Sequence, residues 1–162
     1  MNTATAVAVL LVVLLGGYGL MWRGWRRRAG RHGDLPPLPE AWPVADDGVE
    51  AAYLGTTVSG TWLDRVGAFG LGVRGAATVH VGGDGVLLAR RDDAPVPIPA
   101  TALRGVRADR AGGGRAVRRN EYLIITWEHG GLLLDTAVRP RHRDDMRRLL
   151  HTVEPVAEGG TG

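Results

Sequence analysis

The chain has 162 residues, 44% hydrophobic and 23% charged, which leaves room for one folded domain with accessories and excludes wholesale disorder. It contains no cysteine, so disulfide scaffolds, thiolate metal sites and cysteine catalysis are excluded as well. The formal charge of +3 is local: all 20 basic residues are arginine, and five of them fall between Arg23 and Arg31.

From His32 onward, 15 arginines face 17 carboxylates. That balance is not the broad basic face of a nucleic-acid-binding domain. The first segment, residues 4–22, runs for 19 residues without a charge. As a helix it would extend about 28 Å, close to the hydrocarbon thickness of a bilayer. A cleaved secretory signal needs a basic start and a small-residue cleavage site. Here Met1-Asn2-Thr3 is uncharged, and the run ends in Met21-Trp22-Arg23-Gly24-Trp25. Tyr18, Trp22 and Trp25 suit the membrane interface, and Arg23, Arg26, Arg27 and Arg28 form a stop-transfer cluster. The expectation is a retained single-pass anchor over residues 1–25, in the plasma membrane. The N-terminus is then outside and the remainder cytoplasmic.

Residues 26–48 form a basic juxtamembrane stretch and a proline-rich linker containing Leu35-Pro36-Pro37-Leu38-Pro39 and Pro43. Proline at this density predicts an extended polyproline spacer, with Trp42 resting on the domain edge. Residues 49–155 are expected to fold, and 156–162 to form a disordered tail. Ala51–Val58 predicts a first strand with Ala52, Leu54 and Thr56 on one face. Ala76–Val81 alternates, with Ala77, Val79 and Val81 inward and Thr78 and His80 outward. Gly82-Gly83-Asp84-Gly85 then predicts a tight hairpin turn into Val86–Arg90.

Pro95, Pro97 and Pro99 confine the next strand to an edge, with Val96 and Ile98 on one face. Leu103–Val106 continues the sheet, and Gly112-Gly113-Gly114 is a loop. Tyr122–Trp127 and Leu132–Val138 predict a hairpin about Gly130-Gly131, with Leu123, Ile125 and Trp127 sharing a face. Met146, Leu149, Leu150 and Val153 have helical spacing, and Pro155 is expected to end that helix. The fold class is therefore mainly β: a PH-like antiparallel barrel closed by one C-terminal helix and preceded by a transmembrane helix.

Tyr53-Leu54-Gly55-Thr56-Thr57, Trp62-Leu63-Asp64-Arg65-Val66, Gly70-Leu71-Gly72, Leu103-Arg104-Gly105-Val106 and Leu134-Asp135-Thr136 carry a resemblance. With them the chain resembles actinobacterial single-pass membrane proteins that have a PH-like domain, often labelled transporters or export proteins. The resemblance implies a place beside pyrimidine-biosynthesis genes, and it implies no catalytic residues.

Gly70-Leu71-Gly72-Val73-Arg74-Gly75 matches the dinucleotide glycine pattern, but a strand-like segment follows it where nucleotide binding needs a helix. His142 and His151 are too far apart on the last helix to share a metal, and Ser59 is the only serine. No cofactor, metal or catalytic residue is expected. The leading expectation is a non-enzymatic, membrane-anchored module that binds a protein partner through Arg143 and Arg147, in the groove between the last helix and its neighbouring strand. A second is an anionic-lipid sensor using Arg65 and Arg74 between the first two strands, where Trp62 and Phe69 are expected to pack under the barrel rim. A third is an accessory subunit of a transport complex, although one uncharged helix offers no substrate path of its own.

Overall fold

The structure, a computed structural model, describes residues 11–21, 35–44, 47–61, 64–110 and 121–159. The chain divides into two compact units, residues 1–34 and 35–162. In the first unit, residues 11–21 form helix α1, and every one of them is exposed. Among the described residues no helix is long and apolar enough to cross a membrane. Trp22, Arg23, Trp25, Arg26, Arg27 and Arg28 lie outside the described residues, as do Trp62 and the Gly112–Gly114 loop.

The second unit is mainly β. Its strands are β1 (Val49–Val58), β2 (Gly75–Gly82), β3 (Gly85–Arg90), β4 (Val96–Pro99), β5 (Leu103–Arg110), β6 (Glu121–His129) and β7 (Leu132–Pro140), followed by helix α2 (Arg143–Gly159). They form one antiparallel seven-stranded sheet in the order β4-β3-β2-β1-β7-β6-β5. The expected closed barrel is thus corrected to a curled open sheet, because β4 and β5 are edges that do not pair with each other. Short β4 is an edge for the predicted reason: Pro97 and Pro99 lack the donors that a second neighbour would need. Val96 and Ile98 are fully buried.

The β6–β7 hairpin follows its pattern. Leu123, Ile125 and Trp127 are fully buried, while Tyr122, Ile124 and Thr126 are half-buried on the other face. His129 pairs with Leu132 across Gly130 and Gly131, whose φ angles of 58° and 77° are those of a two-residue turn with both central residues left-handed. The β2–β3 turn is likewise confirmed, with Gly82 paired to Gly85. Ala77 and Val79 face the core, but Val81 is only half-buried, and His80 is buried on the opposite face near Gly48.

The expected face of β1 is wrong for most of its length. Val49, Ala51 and Tyr53 point inward, and Ala52 and Leu54 outward. The register against β7 shifts between Tyr53 and Gly55, leaving Leu54 as the extra residue of a bulge, and Gly55 adopts φ 116°. One inserted residue exchanges the two faces, so Thr56 returns to the core.

Helix α2 packs mainly against β5 and buries Met146, Leu149, Val153 and Ala157. Two expectations fail here. Leu150 is only half-buried, and the helix continues through Pro155 to Gly159. Val156 and Ala157 carry the apolar stripe past Pro155 and pack against the core.

The linker is also more than a spacer. Leu35 is buried in the core cluster, and the Pro36 carbonyl lies 2.8 Å from His129 Nε2. A methyl group on Gly130 would sit 2.6 Å from Pro36 Cδ, so the turn glycine makes room for the linker. Trp42 is half-buried.

Candidate functional site

The β1 bulge allows Tyr53 and Thr56 to meet inside the sheet, and a buried hydrogen-bond chain runs through them. Trp127 Nε1 donates to Thr136 Oγ1 at 2.9 Å, the Thr136 and Thr56 hydroxyls are 2.7 Å apart, Thr56 Oγ1 is 2.8 Å from the Tyr53 hydroxyl, and that hydroxyl donates to the Leu71 carbonyl at 2.7 Å. The donor at one end and the acceptor at the other fix the direction. Thr136 donates to Thr56, Thr56 to Tyr53, and Tyr53 to Leu71, and every buried hydroxyl is satisfied. Burial pushes the Tyr53 phenol up to about 12, against the opposing pull of the Thr56 hydrogen bond and the Arg90 charge. It therefore remains a donor across the physiological range.

Leu71 belongs to the segment that joins β1 to β2, and Arg90 holds the same segment from the other side. The Arg90 side chain is 2% exposed; Nε donates to the Ala94 carbonyl at 2.7 Å, Nη1 to Gly70 at 2.6 Å and Nη2 to Phe69 at 3.1 Å. Its Cζ lies 5.3 Å from the centre of the Tyr53 ring, within cation–π range. Phe69 adopts φ 53°, an uncommon conformation for a residue with a side chain, and its own ring is exposed. The expectation that Phe69 packs under the rim is therefore corrected: its backbone carbonyl is held, and its side chain is not. No helix follows the Gly70–Gly75 glycine pattern, because β2 begins at Gly75.

Arg90 ends β3, and beyond it residues of β1, β2, β3 and β7 and of the start of α2 line a groove of about 1060 Å³, the buried Ala51, Ala77, Arg90 and Met146 among them. The registers pair Ala52 with both Ala76 and Arg139, and the Arg91 amide donates to the Ala76 carbonyl. One row across four strands therefore reads Arg91, Ala76, Ala52, Arg139. At the usual strand spacing its two arginines stand about 14 Å apart over an alanine floor. Arg141, His142 and Arg143 complete the rim at the start of α2. Arg141 reaches Glu50 at 2.8 Å. Arg91, Arg139 and Arg143 are exposed and have no carboxylate partner among the described residues.

A second polar cluster lies on β5–β7. Arg107 Nη2 meets Asp135 Oδ2 at 2.8 Å, Thr126 donates to Oδ1 at 2.7 Å, and Ser59 donates to Oδ2 at 3.3 Å. Burial alone would push the Asp135 carboxyl up. The Arg107 and Thr126 hydrogen bonds, the Arg107 charge and Ser59 outweigh it and hold the carboxyl below its ordinary range.

Of the residues singled out from the sequence, Arg143 lines the groove, but Arg147 does not; it reaches Asp144 at 3.4 Å on the exposed face of α2. Arg65 and Arg74 are exposed on the β1–β2 segment and are not among the groove's lining residues. Arg65 Nη1 donates to the Gly72 carbonyl at 3.1 Å. Sequence reasoning missed Arg91 and Arg139, because their proximity depends on the β1 registers. The alternation of Arg139, Arg141 and Arg143 was the available signal. Among the described residues no group of three or more His, Asp or Glu side chains is placed to hold a metal ion.

A family model described as bacterial PH domain-like matches residues 32–154. No curated protein and no solved structure matches the chain.

Proposed function

Because the chain belongs to the bacterial PH domain-like family, whose fold generally serves as a non-catalytic module for binding protein or lipid, we propose that it is a membrane-tethered adaptor that binds a protein partner through the arginine-rimmed groove. Residues 4–22 supply the tether. Support for the tether comes from the uncharged run and from α1, where Leu11, Val13, Leu15 and Leu20 are all exposed. A helix that is apolar all round belongs in a core or a bilayer. The arginines that follow favour a cytoplasmic domain at the plasma membrane.

The observation that carries the reading is the rim of the groove: Arg91, Arg139 and Arg143 are exposed around it and have no carboxylate partner among the described residues. Lipid sensing through Arg65 and Arg74 is less well supported, because Arg65 is engaged with Gly72.

Site-specific photocrosslinking in cells tests the binding surface. A crosslinker at Ala76, on the groove floor, is expected to give a discrete protein adduct, and one at Ile124, on the outer face of β6, is not. Adducts of equal yield at both positions, or none at Ala76, would overturn the groove. A reporter fused after Gly162 tests the topology: activity confined to the cytoplasm is expected, and activity only outside it contradicts the orientation.

A further inference from the structure

We propose that the groove's occupant is an extended acidic segment of the partner protein; this rests on the adaptor reading and specifies its ligand. The first argument is charge. Arg91, Arg139 and Arg143 are exposed around one groove with no carboxylate partner among the described residues. An occupant carrying carboxylates would supply the missing partners.

The second argument is shape. Ala52 and Ala76 are adjacent in register and carry only methyl groups, so a main chain can lie flat between the arginine walls. Those walls stand about 14 Å apart, and an extended chain advances about 3.3 Å per residue, so acidic residues at i and i+4 reach both. Glu50 lies on the neighbouring row, opposite Thr78 and paired with Arg141. A compact polyanion over that row would be repelled by Glu50, whereas spaced carboxylates with neutral residues between them avoid it.

The test uses the full chain in nanodiscs of phosphatidylcholine and a fluorescein-labelled peptide of alternating Glu and Ser, followed by anisotropy. Salt-sensitive binding is expected, with no binding of the Lys and Ser counterpart. Arg91→Glu with Arg139→Glu is expected to weaken binding by about tenfold or more. Arg147→Glu with Arg148→Glu, matched in charge but outside the groove, is expected to leave it unchanged. Arg91→Gln with Arg139→Gln provides a milder pair should the reversals disturb folding, and it is expected to weaken binding in the same direction.

Equal loss in the groove and control pairs would reduce the effect to net charge and overturn the proposal. So would peptide binding that the groove variants leave intact, or groove-dependent binding of phosphatidylglycerol vesicles in place of the peptide. If the peptide fails to bind while the Ala76 crosslink persists, the acidic ligand is wrong and the adaptor reading stands. Loss of both removes the reading itself.

Discussion

Arg107 and Arg104 on β5 each lie against a carboxylate, Asp135 at 2.8 Å and Glu128 at 3.0 Å, whereas Arg91 and Arg139 elsewhere on the same sheet have none among the described residues. Arg107 is part of a mesh in which Thr126 and Ser59 also serve Asp135. Arg91 and Arg139 instead flank two alanines. One residue type thus has two roles. Where the fold supplies a carboxylate, arginine holds strands together; where it supplies only methyl groups, the charge is available to another molecule. Arg90 is the extreme structural case, a buried guanidinium that serves three carbonyls, one residue before Arg91, whose guanidinium has no carboxylate partner among the described residues.

The sharpest break in this comparison is expected at Arg90. Arg90→Met leaves the carbonyls of Phe69, Gly70 and Ala94 without their donor and should cost about 3 kcal/mol in urea denaturation. Arg90→Lys should recover little of that, because a single ammonium cannot reproduce the planar fork. A loss below about 0.5 kcal/mol for Arg90→Met would mean that the β1–β2 segment is held by the Tyr53 chain alone.

An intermediate effect is expected at Asp135. Asp135→Asn weakens the pairing with half-exposed Arg107 and should cost about 1 kcal/mol near neutral pH. The folded Asp135 carboxyl titrates below its unfolded value. Its contribution is therefore full above the unfolded value and is lost as pH falls through the folded one. Melting temperatures of the parent and Asp135→Asn should accordingly differ at neutral pH and converge below about pH 4. A gap that persists or widens in acid would contradict the assigned ion pair.

These regions also differ in how far they can be read from sequence. The β6–β7 hairpin was legible as a pairing, because Leu123, Ile125 and Trp127 share a face and two turn glycines set the register; which face is buried was not, since Leu123, Ile124 and Ile125 are all apolar. Strand β1 was legible as a strand, but its faces were not, since Leu54 is an inserted residue and the bulge becomes apparent only against β7. The linker composition predicted an extended chain; its docking depends on Gly130 having no side chain, a relation across more than 90 residues. The groove was the least legible feature. Arg143 was singled out, but Arg91 and Arg139 become neighbours only through two registers that run by way of Ala52 and Ala76.

The most direct measurement is a side-by-side urea denaturation of Arg107→Gln and of Arg91→Gln combined with Arg139→Gln. Arg107→Gln should lose about 1 kcal/mol, because Asp135 keeps only its hydroxyl donors. The groove pair should stay within about 0.5 kcal/mol of the parent, because neither guanidinium has a carboxylate partner among the described residues. A groove pair that loses as much as Arg107→Gln would show that its arginines are structural after all, and the groove would then have no charge to offer a partner.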